Sequence, residues 1–164
     1  GVVIAVAISA AMVGSSNTEV FEKAIKSISN GTWTWRLLAL AKEIVNSSKD
    51  KPVHEIADLL LQDIAINEYF YADLAPEAVA LAMAAVLYGD GDYAKTLLFA
   101  VNLGRDADTI AAMAGAVAGA ISGYESIPAN WKGAVTTVGG TCLEFAKGLN
   151  PYEMADSLLT EANK

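Results

Sequence analysis

A chain of 164 residues, 54% of them apolar, is long enough to bury a sizeable core, and this composition argues against a disordered chain. The net charge of −8 and the lack of a lysine or arginine cluster argue against nucleic acid or an anionic membrane surface as a partner. The apolar runs at residues 2–13, 75–88 and 110–121 are too short to cross a bilayer. A single cysteine, Cys142, excludes an internal disulfide; it leaves the compartment open but favours a reducing one, so we expect the cytoplasm.

Helical periodicity dominates and strand-like alternation is scarce, so we predict an all-α domain of about eight helices spanning residues 1–164. The predicted helices cover residues 2–13, 18–29, 33–47, 52–64, 76–88, 93–103, the segment that follows Asp106, 129–138 and 152–162. Caps or prolines mark most of their starts: Ser16 with Glu19, Pro52, Pro76, Asp92, Asp106, Pro128 and Asn150 with Pro151. Because the first helix has no cap before it, we expect the chain to be the later part of a longer protein.

Two segments between these helices need separate interpretation. Residues 65–74 stay unassigned, and the Tyr-Phe-Tyr run at 69–71 is expected to pack in the core, with stacking on an adenine as the alternative. Asp90 and Asp92 could begin a calcium loop, but the later ligands of such a loop are absent. We therefore expect a turn followed by a helix cap at these two residues.

The segment from residue 101 to residue 121 has the strongest functional signal. Asp106 and Thr109 are three residues apart and project from one side of a first helical turn, whereas Asp108 is rotated away from both. Their carboxylate and hydroxyl oxygens are hard ligands that suit Mg²⁺, Mn²⁺ or Ca²⁺, although they leave part of the coordination shell to other donors. The alternative is an ordinary helix start, in which acids complement the helix dipole.

The helix behind these residues has glycines at a spacing of four, namely Gly115, Gly119 and Gly123. Each glycine costs about 1 kcal/mol relative to alanine in a helix interior, so we expect a compensating close approach of a neighbouring helix backbone. A membrane dimer motif has the same spacing, but the acids at one end of the helix and its short apolar length argue against a membrane helix.

Several segments together resemble the ADP-ribosylglycohydrolase family, in the order and spacing of that family. They are Tyr-Gly-Asp-Gly-Asp-Tyr at 88–93, Ala-Val-Asn-Leu-Gly at 100–104, Asp-Ala-Asp-Thr-Ile-Ala at 106–111, Gly-Ala at 115–116 and 119–120, and Ile-Pro at 127–128 before Trp131. The resemblance covers residues 76–131 closely and the earlier helices more loosely.

The resemblance implies an all-α orthogonal bundle, apparently incomplete at its N-terminus, with a two-metal centre that holds Mg²⁺ or Mn²⁺. The family hydrolyses the glycosidic bond to ADP-ribose, so the implied substrate is an ADP-ribosylated protein or a small molecule that contains ADP-ribose. By this resemblance the metal ligands are Asp106, Asp108 and Thr109. The residues that line the substrate loop beside them are Asn102, Gly104 and Arg105.

The chain also departs from the family pattern. The family usually has glycine before the first aspartate and threonine between the two aspartates, where this chain has Arg105 and Ala107. Arg105 could contact a phosphate or crowd the loop, and Ala107 lacks a hydroxyl that could orient a metal ligand. The Thr-Asp-Asp element that completes the family's metal centre does not occur between Gly1 and Lys164. We therefore expect half of a metal site and little or no activity of this chain alone.

Other reactive residues have structural explanations. His54, the one histidine, is expected at the surface rather than as a catalytic base. Cys142 is expected to be a small buried side chain, and Trp33 and Trp35 are expected to pack. Besides a metal-dependent hydrolase, the sequence leaves open a non-catalytic module that binds ADP-ribose or a nucleotide, and a purely structural helical domain.

Overall fold

The computed structural model describes residues 1–66, 71–134 and 136–164, and within these ranges it contains α-helices, two short 3₁₀ helices and no strand. The nine α-helices are α1 Val2–Met12, α2 Asn17–Lys26, α3 Trp33–Ser47, α4 Val53–Asp63, α5 Ala75–Gly89, α6 Tyr93–Asn102, α7 Ala107–Ser122, α8 Ala129–Lys132 and α9 Pro151–Ala162. The all-α prediction is confirmed. No helix in the described ranges has both the length and the apolar character that a membrane span needs.

The chain divides into two compact units, Gly1–Ser126 and Ile127–Lys164. In the first unit, α5 is buried at every residue from Glu77 to Val86. Helices α3, α6 and α7 all pack against it, and α1 packs on α2 and α7. A helix that is apolar on all sides belongs in a core, and the many alanines of α5 let its neighbours come close. The prediction that residues 1–164 form a single domain stays a prediction.

The predicted cap at the start of α2 is present as a complete capping box. The Glu19 amide donates to Ser16 Oγ at 3.4 Å, and the Ser16 amide donates to Glu19 Oε2 at 2.8 Å. The hydrogen bond from the Ser16 amide is the main cause that lowers the pKa of Glu19. Local hydrogen bonding between residues three apart therefore sets this helix start, as the sequence predicts.

The predicted turn and cap before α6 are also confirmed. Asp90 adopts a left-handed conformation with φ +48° after the last residue of α5. Asp92 accepts a hydrogen bond from the Lys95 amide at 2.9 Å and so caps α6. The Asp90 carboxylate accepts a bond from Asn17 Nδ2 at 3.2 Å, which ties this turn to the start of α2.

The predicted helix over residues 129–138 is wrong. Helix α8 ends at Lys132, and the part of the chain described after it is not helical before the 3₁₀ helix Glu144–Ala146. Val138 instead exchanges backbone hydrogen bonds with the segment before α9: its amide donates to the Leu149 carbonyl and its carbonyl accepts from the Gly148 amide, both at 2.9 Å. Gly133 and the glycine pair at 139–140 make a longer helix costly, and this pairing takes its place.

The glycines of α7 do not face a helix backbone as expected. A Cβ at Gly115 would lie 3.2 Å from Leu97 Cδ1, and one at Gly119 would lie 3.7 Å from Tyr93 Cε2, so side chains of α6 occupy this groove. Gly123 lies just past the helix, with φ +76°. The close approach of two backbones occurs instead at Gly89, where a Cβ would lie 3.0 Å from Thr96 Cα.

The solvent exposure of several side chains differs from what the sequence predicts. Cys142 is exposed rather than buried, and Trp33 is 45% exposed. Trp35 packs against the core and His54 is exposed, as expected. Tyr71 is 62% exposed and does not join the core, while the other two aromatic residues of its run, and the remainder of residues 67–70, lie outside the described residues.

Candidate functional site

The loop between α6 and α7 reverses the chain through two successive residues with positive φ, Gly104 at +67° and Arg105 at +57°. Glycine adopts this region freely, whereas a side chain with a Cβ seldom does. Leu103 is buried at the start of the loop and anchors it in the core. Asp106 then occupies the position before the first residue of α7. Asp106 thus directly follows an arginine whose backbone has a conformation that arginine seldom adopts.

The three predicted metal ligands lie at the start of α7. Asp106 is half-buried, while Asp108 and Thr109 are exposed in the first turn. Asp106 stands at the cap position, but its side chain makes no capping hydrogen bond. Among the described residues, none of the three side chains has a hydrogen bond or an ion pair. Two carboxylates and one hydroxyl are therefore unengaged, and their hard oxygen donors fit a divalent cation such as Mg²⁺ or Mn²⁺.

The described residues contain no group of three or more histidine, cysteine, aspartate or glutamate side chains that could hold a metal ion. The donor set at α7 has only two carboxylates, so water, substrate or further protein oxygens must complete any coordination shell. The metal assignment of Asp106, Asp108 and Thr109 stays a prediction.

The side chain of Arg105 is partly buried and is bound to a buried carboxylate. Its Nε donates to Glu77 Oε1 at 2.6 Å and its Nη2 donates to Glu77 Oε2 at 3.1 Å, a bidentate ion pair. The hydrogen bond that Arg105 donates to Glu77 raises the pKa of Arg105, so the ion pair favours the charged guanidinium. A direct contact between Arg105 and a substrate phosphate stays a prediction, and it would compete with this ion pair.

Sequence reasoning missed Glu77. Its side chain is fully buried at the start of α5, where Oε2 also accepts a hydrogen bond from the Ile66 amide at 2.8 Å. The Ile66 carbonyl lies 3.5 Å from Arg105 Nη2, so both ends of the pair are held by the same neighbour. A buried carboxylate is stable only when it is paired in this way. The sequence signal for Glu77 was its position as a single acid within a long, alanine-rich apolar run.

Asn102, a predicted substrate-loop residue, is exposed at the end of α6, and its Nδ2 donates to the Leu98 carbonyl at 2.7 Å. It borders a cavity of about 740 Å³ between α4 and the α5–α6 pair. Tyr88 lines this cavity, and its ring stacks on Phe99 at a centroid distance of 4.2 Å and lies 4.4 Å from Lys95 Nζ. The ring therefore already has an aromatic and a cationic neighbour within the protein.

Known proteins similar to this chain are named ADP-ribosylhydrolase or ADP-ribosylarginine hydrolase. ADP-ribosylhydrolase ARH3 of Mus musculus is 53% identical over 38 residues, which are 23% of this chain and 10% of that protein; for the Homo sapiens protein the identity is 50% over the same length and the same shares. ADP-ribosylarginine hydrolase Tri1 of Serratia proteamaculans is 44% identical over 55 residues, which are 34% of this chain and 15% of that protein. None of the solved structures matches the chain.

The aligned segments thus span about a tenth of the length of the ARH3 proteins and 15% of Tri1. The family model for ADP-ribosylglycohydrolases, in contrast, matches residues 1–163. This match includes the α6–α7 loop and the whole of α7. The chain belongs to the ADP-ribosylglycohydrolase family.

Proposed function

We propose that this protein acts as a metal-dependent hydrolase that cleaves a glycosidic bond to ADP-ribose or a related ribosyl bond. The observation that carries the proposal is the set of unengaged oxygen donors at the start of α7, Asp106, Asp108 and Thr109, in a chain of this family. The substrate would be an ADP-ribosylated protein or a small molecule that contains ADP-ribose.

In this proposal the carboxylates of Asp106 and Asp108 and the hydroxyl of Thr109 hold one side of a two-metal centre. Bound Mg²⁺ or Mn²⁺ ions would supply the positive charge that polarises the sugar and activates a water at neutral pH. The chain itself carries a net charge of −8, which repels the diphosphate of the substrate. A cation at these acids would therefore also favour substrate binding, and Asn102 and Gly104 would line the loop beside it.

The proposal is tested by Mn²⁺-dependent release of ADP-ribose by the full-length protein, followed by chromatography. Asp106→Ala and Asp108→Ala should each lose most of the activity, because each removes a charged metal ligand. The matched control is Glu153→Ala, which removes an exposed acid from the first turn of a different helix, α9. Equal activity of the two aspartate variants and the wild type would rule out the assigned roles.

A second candidate function is a module that binds ADP-ribose or a nucleotide without turnover. It is favoured by Ala107, which lacks the hydroxyl usual in the family. Calorimetry with ADP-ribose beside the turnover assay separates the two, since binding without product supports the module. A purely structural domain would show neither effect and no rise in Tm with Mn²⁺, because only a ligand of the native state stabilises it.

We also propose a cytoplasmic location, because a single cysteine favours a reducing compartment. We expect neither nucleic acid nor a membrane as a partner, since the net charge of −8 disfavours both polyanions and anionic lipid.

A further inference from the structure

Position 105 combines an unfavourable backbone with a strong side-chain anchor. Among the described residues, the only non-glycine residues with positive φ are Asp90 and Arg105. Aspartate tolerates this region better than most residues because its short side chain can bond locally, but arginine has no such advantage. The conformation of Arg105 therefore needs support from the surrounding structure, and Arg105 directly precedes Asp106.

The ion pair with Glu77 gives that support. Glu77 belongs to the first turn of α5, the most buried helix of the first unit, so its carboxylate is a fixed point. Two parallel hydrogen bonds from one guanidinium, at 2.6 and 3.1 Å, set the direction of the arginine side chain as well as its distance. The backbone at position 105 is consequently tied to the core, and the adjacent Asp106 is tied with it.

We propose that Arg105 is a positioning residue, whose ion pair with Glu77 holds the α6–α7 loop in the shape that presents Asp106 and Asp108 to a divalent cation. This inference rests on the proposed function for its cation, but the locking of the loop is a property of the metal-free protein. Arg105 acts through the aspartates and not by touching the substrate. If its guanidinium turned to a phosphate, the fully buried Glu77 carboxylate would lose its charged partner.

The key variant is the double substitution Arg105→Gly with Glu77→Gln. Glycine accepts the positive φ without strain, and glutamine removes the buried charge while its carbonyl can still accept the Ile66 amide. The double variant is therefore expected to fold, but its loop lacks the anchor at position 105. Arg105→Lys is the conservative variant, since it keeps the charge and loses the two-pronged geometry.

The first experiment measures amide hydrogen exchange by NMR in the metal-free, full-length protein. Two amides bracket the loop: that of Gly104 donates to the Val101 carbonyl, and that of Ile110 donates to the Asp106 carbonyl. Both should exchange about tenfold faster or more in the double variant, because the loop opens locally. The Gly123 amide, which donates to Gly119 at the far end of α7, should keep its rate.

The second experiment measures the Kd for Mn²⁺ by the electron paramagnetic resonance signal of the free ion. The Kd should rise about tenfold or more in Arg105→Gly, in Glu77→Gln and in the double variant, and Arg105→Lys should restore part of the affinity. The control is Phe21→Ala, which removes a buried side chain from α2. Because Asn17 of α2 bonds to Asp90, past the last residue of α5, this control lies near the end of α5 opposite to Glu77.

Each outcome decides between specific explanations. Unchanged exchange at Gly104 and Ile110 in the double variant, or a control that weakens Mn²⁺ binding equally, would overturn the positioning role. A loss of ADP-ribose affinity in Arg105→Gly but not in Glu77→Gln would also overturn it, because a direct contact needs only the arginine. If the wild type binds no Mn²⁺ while exchange responds as expected, the proposed function fails and the lock on the loop stands.

Discussion

The ion pair of buried Glu77 with partly buried Arg105 shows how one residue can change the interpretation of a site motif. From the sequence, Arg105 is a cation beside two acids, and a phosphate contact is the natural hypothesis. In the structure its guanidinium is bound to a carboxylate that is fully buried. The charge at position 105 thus compensates a buried carboxylate, and the effect of its removal on stability is measurable independently of any ligand.

We expect Arg105→Gly to lower the free energy of unfolding, because it leaves the Glu77 charge buried and unpaired at a cost of about 3–5 kcal/mol. Relief of the positive φ offsets about 1–3 kcal/mol of this cost, so the net loss should be smaller than the cost of the unpaired charge. Adding Glu77→Gln should recover much of the stability. Urea denaturation of the two single variants and the double variant measures the coupling, and additive effects would contradict a shared ion pair.

We expect the capping box of α2 to make stability depend on pH. The pKa of Glu19 is lowered from 4.5 in the folded protein, mainly by the hydrogen bond from the Ser16 amide. Its contribution is therefore present above pH 4.5 and is lost as the pH falls through the lowered pKa. The difference in urea midpoint between wild type and Glu19→Gln should be larger at pH 7 than at about pH 3. Ser16→Ala removes the hydroxyl contact to Glu19 but keeps the Ser16 amide, which is the larger cause, so in this background the pH dependence should shrink only in part. A difference in urea midpoint that is equal at both pH values in the wild-type background would contradict the lowered pKa of Glu19.

At the scale of the helices, glycines have two different functions in the packing of α5, α6 and α7. At Gly115 and Gly119, α7 leaves a groove that the Tyr93 and Leu97 side chains of α6 occupy. At Gly89, the backbone of α5 meets Thr96 of α6 so closely that no side chain fits. A Cβ would make ordinary contact at Gly119, would require Leu97 to shift at Gly115, and does not fit at Gly89.

We expect opposite effects of alanine at Gly119 and at Gly89. Gly119→Ala adds a methyl group in ordinary contact at 3.7 Å and gains helix propensity, so it should stabilise by up to about 1 kcal/mol. Gly89→Ala would place Cβ 1.7 Å from Thr96 Oγ1, a buried side chain, and 3.0 Å from its Cα. This overpacking should cost about 1–3 kcal/mol or more. Thermal unfolding of both variants measures the contrast, and two changes of the same sign would refute the packing described for these helices.

For the whole molecule, the described core lies within the first unit. The contiguous cluster of buried apolar side chains runs from Val3 to Val117, whereas Ala146 is the one buried residue among those described in Ile127–Lys164. The second unit exposes large apolar side chains, including Phe145 at 83% and Leu158 at 71%. The two units therefore differ in their capacity to fold alone.

We expect a chain that ends at Ser126 to unfold cooperatively in urea, because it contains the full core cluster. A peptide of residues 127–164 should show little stable helix by circular dichroism, since chains below about 40 residues seldom bury enough apolar surface. A non-cooperative transition of the longer fragment would show that its core depends on the remainder of the chain.

The sequence by itself determined the helices and most of their starts, because caps, prolines and apolar periodicity act between residues a few positions apart. The box at Ser16 and Glu19 and the cap at Asp92 are such cases. Local signals failed where they were weak, as in the glycine-flanked stretch over 129–138. The ordered segments around residues 106–111 also carried the resemblance, and the match over residues 1–163 bears it out.

Only the tertiary structure decided what lies beside those segments. Arg105 and Glu77 are 28 positions apart, and their pairing depends on how α5 meets the α6–α7 loop rather than on any spacing in the chain. Exposure is likewise a property of the packed molecule, and so Cys142 and Trp33 proved exposed although both were expected to pack. A short-range pattern reports hydrogen bonds within one turn or helix, whereas the partner of a buried charge is chosen by the packing of the whole core.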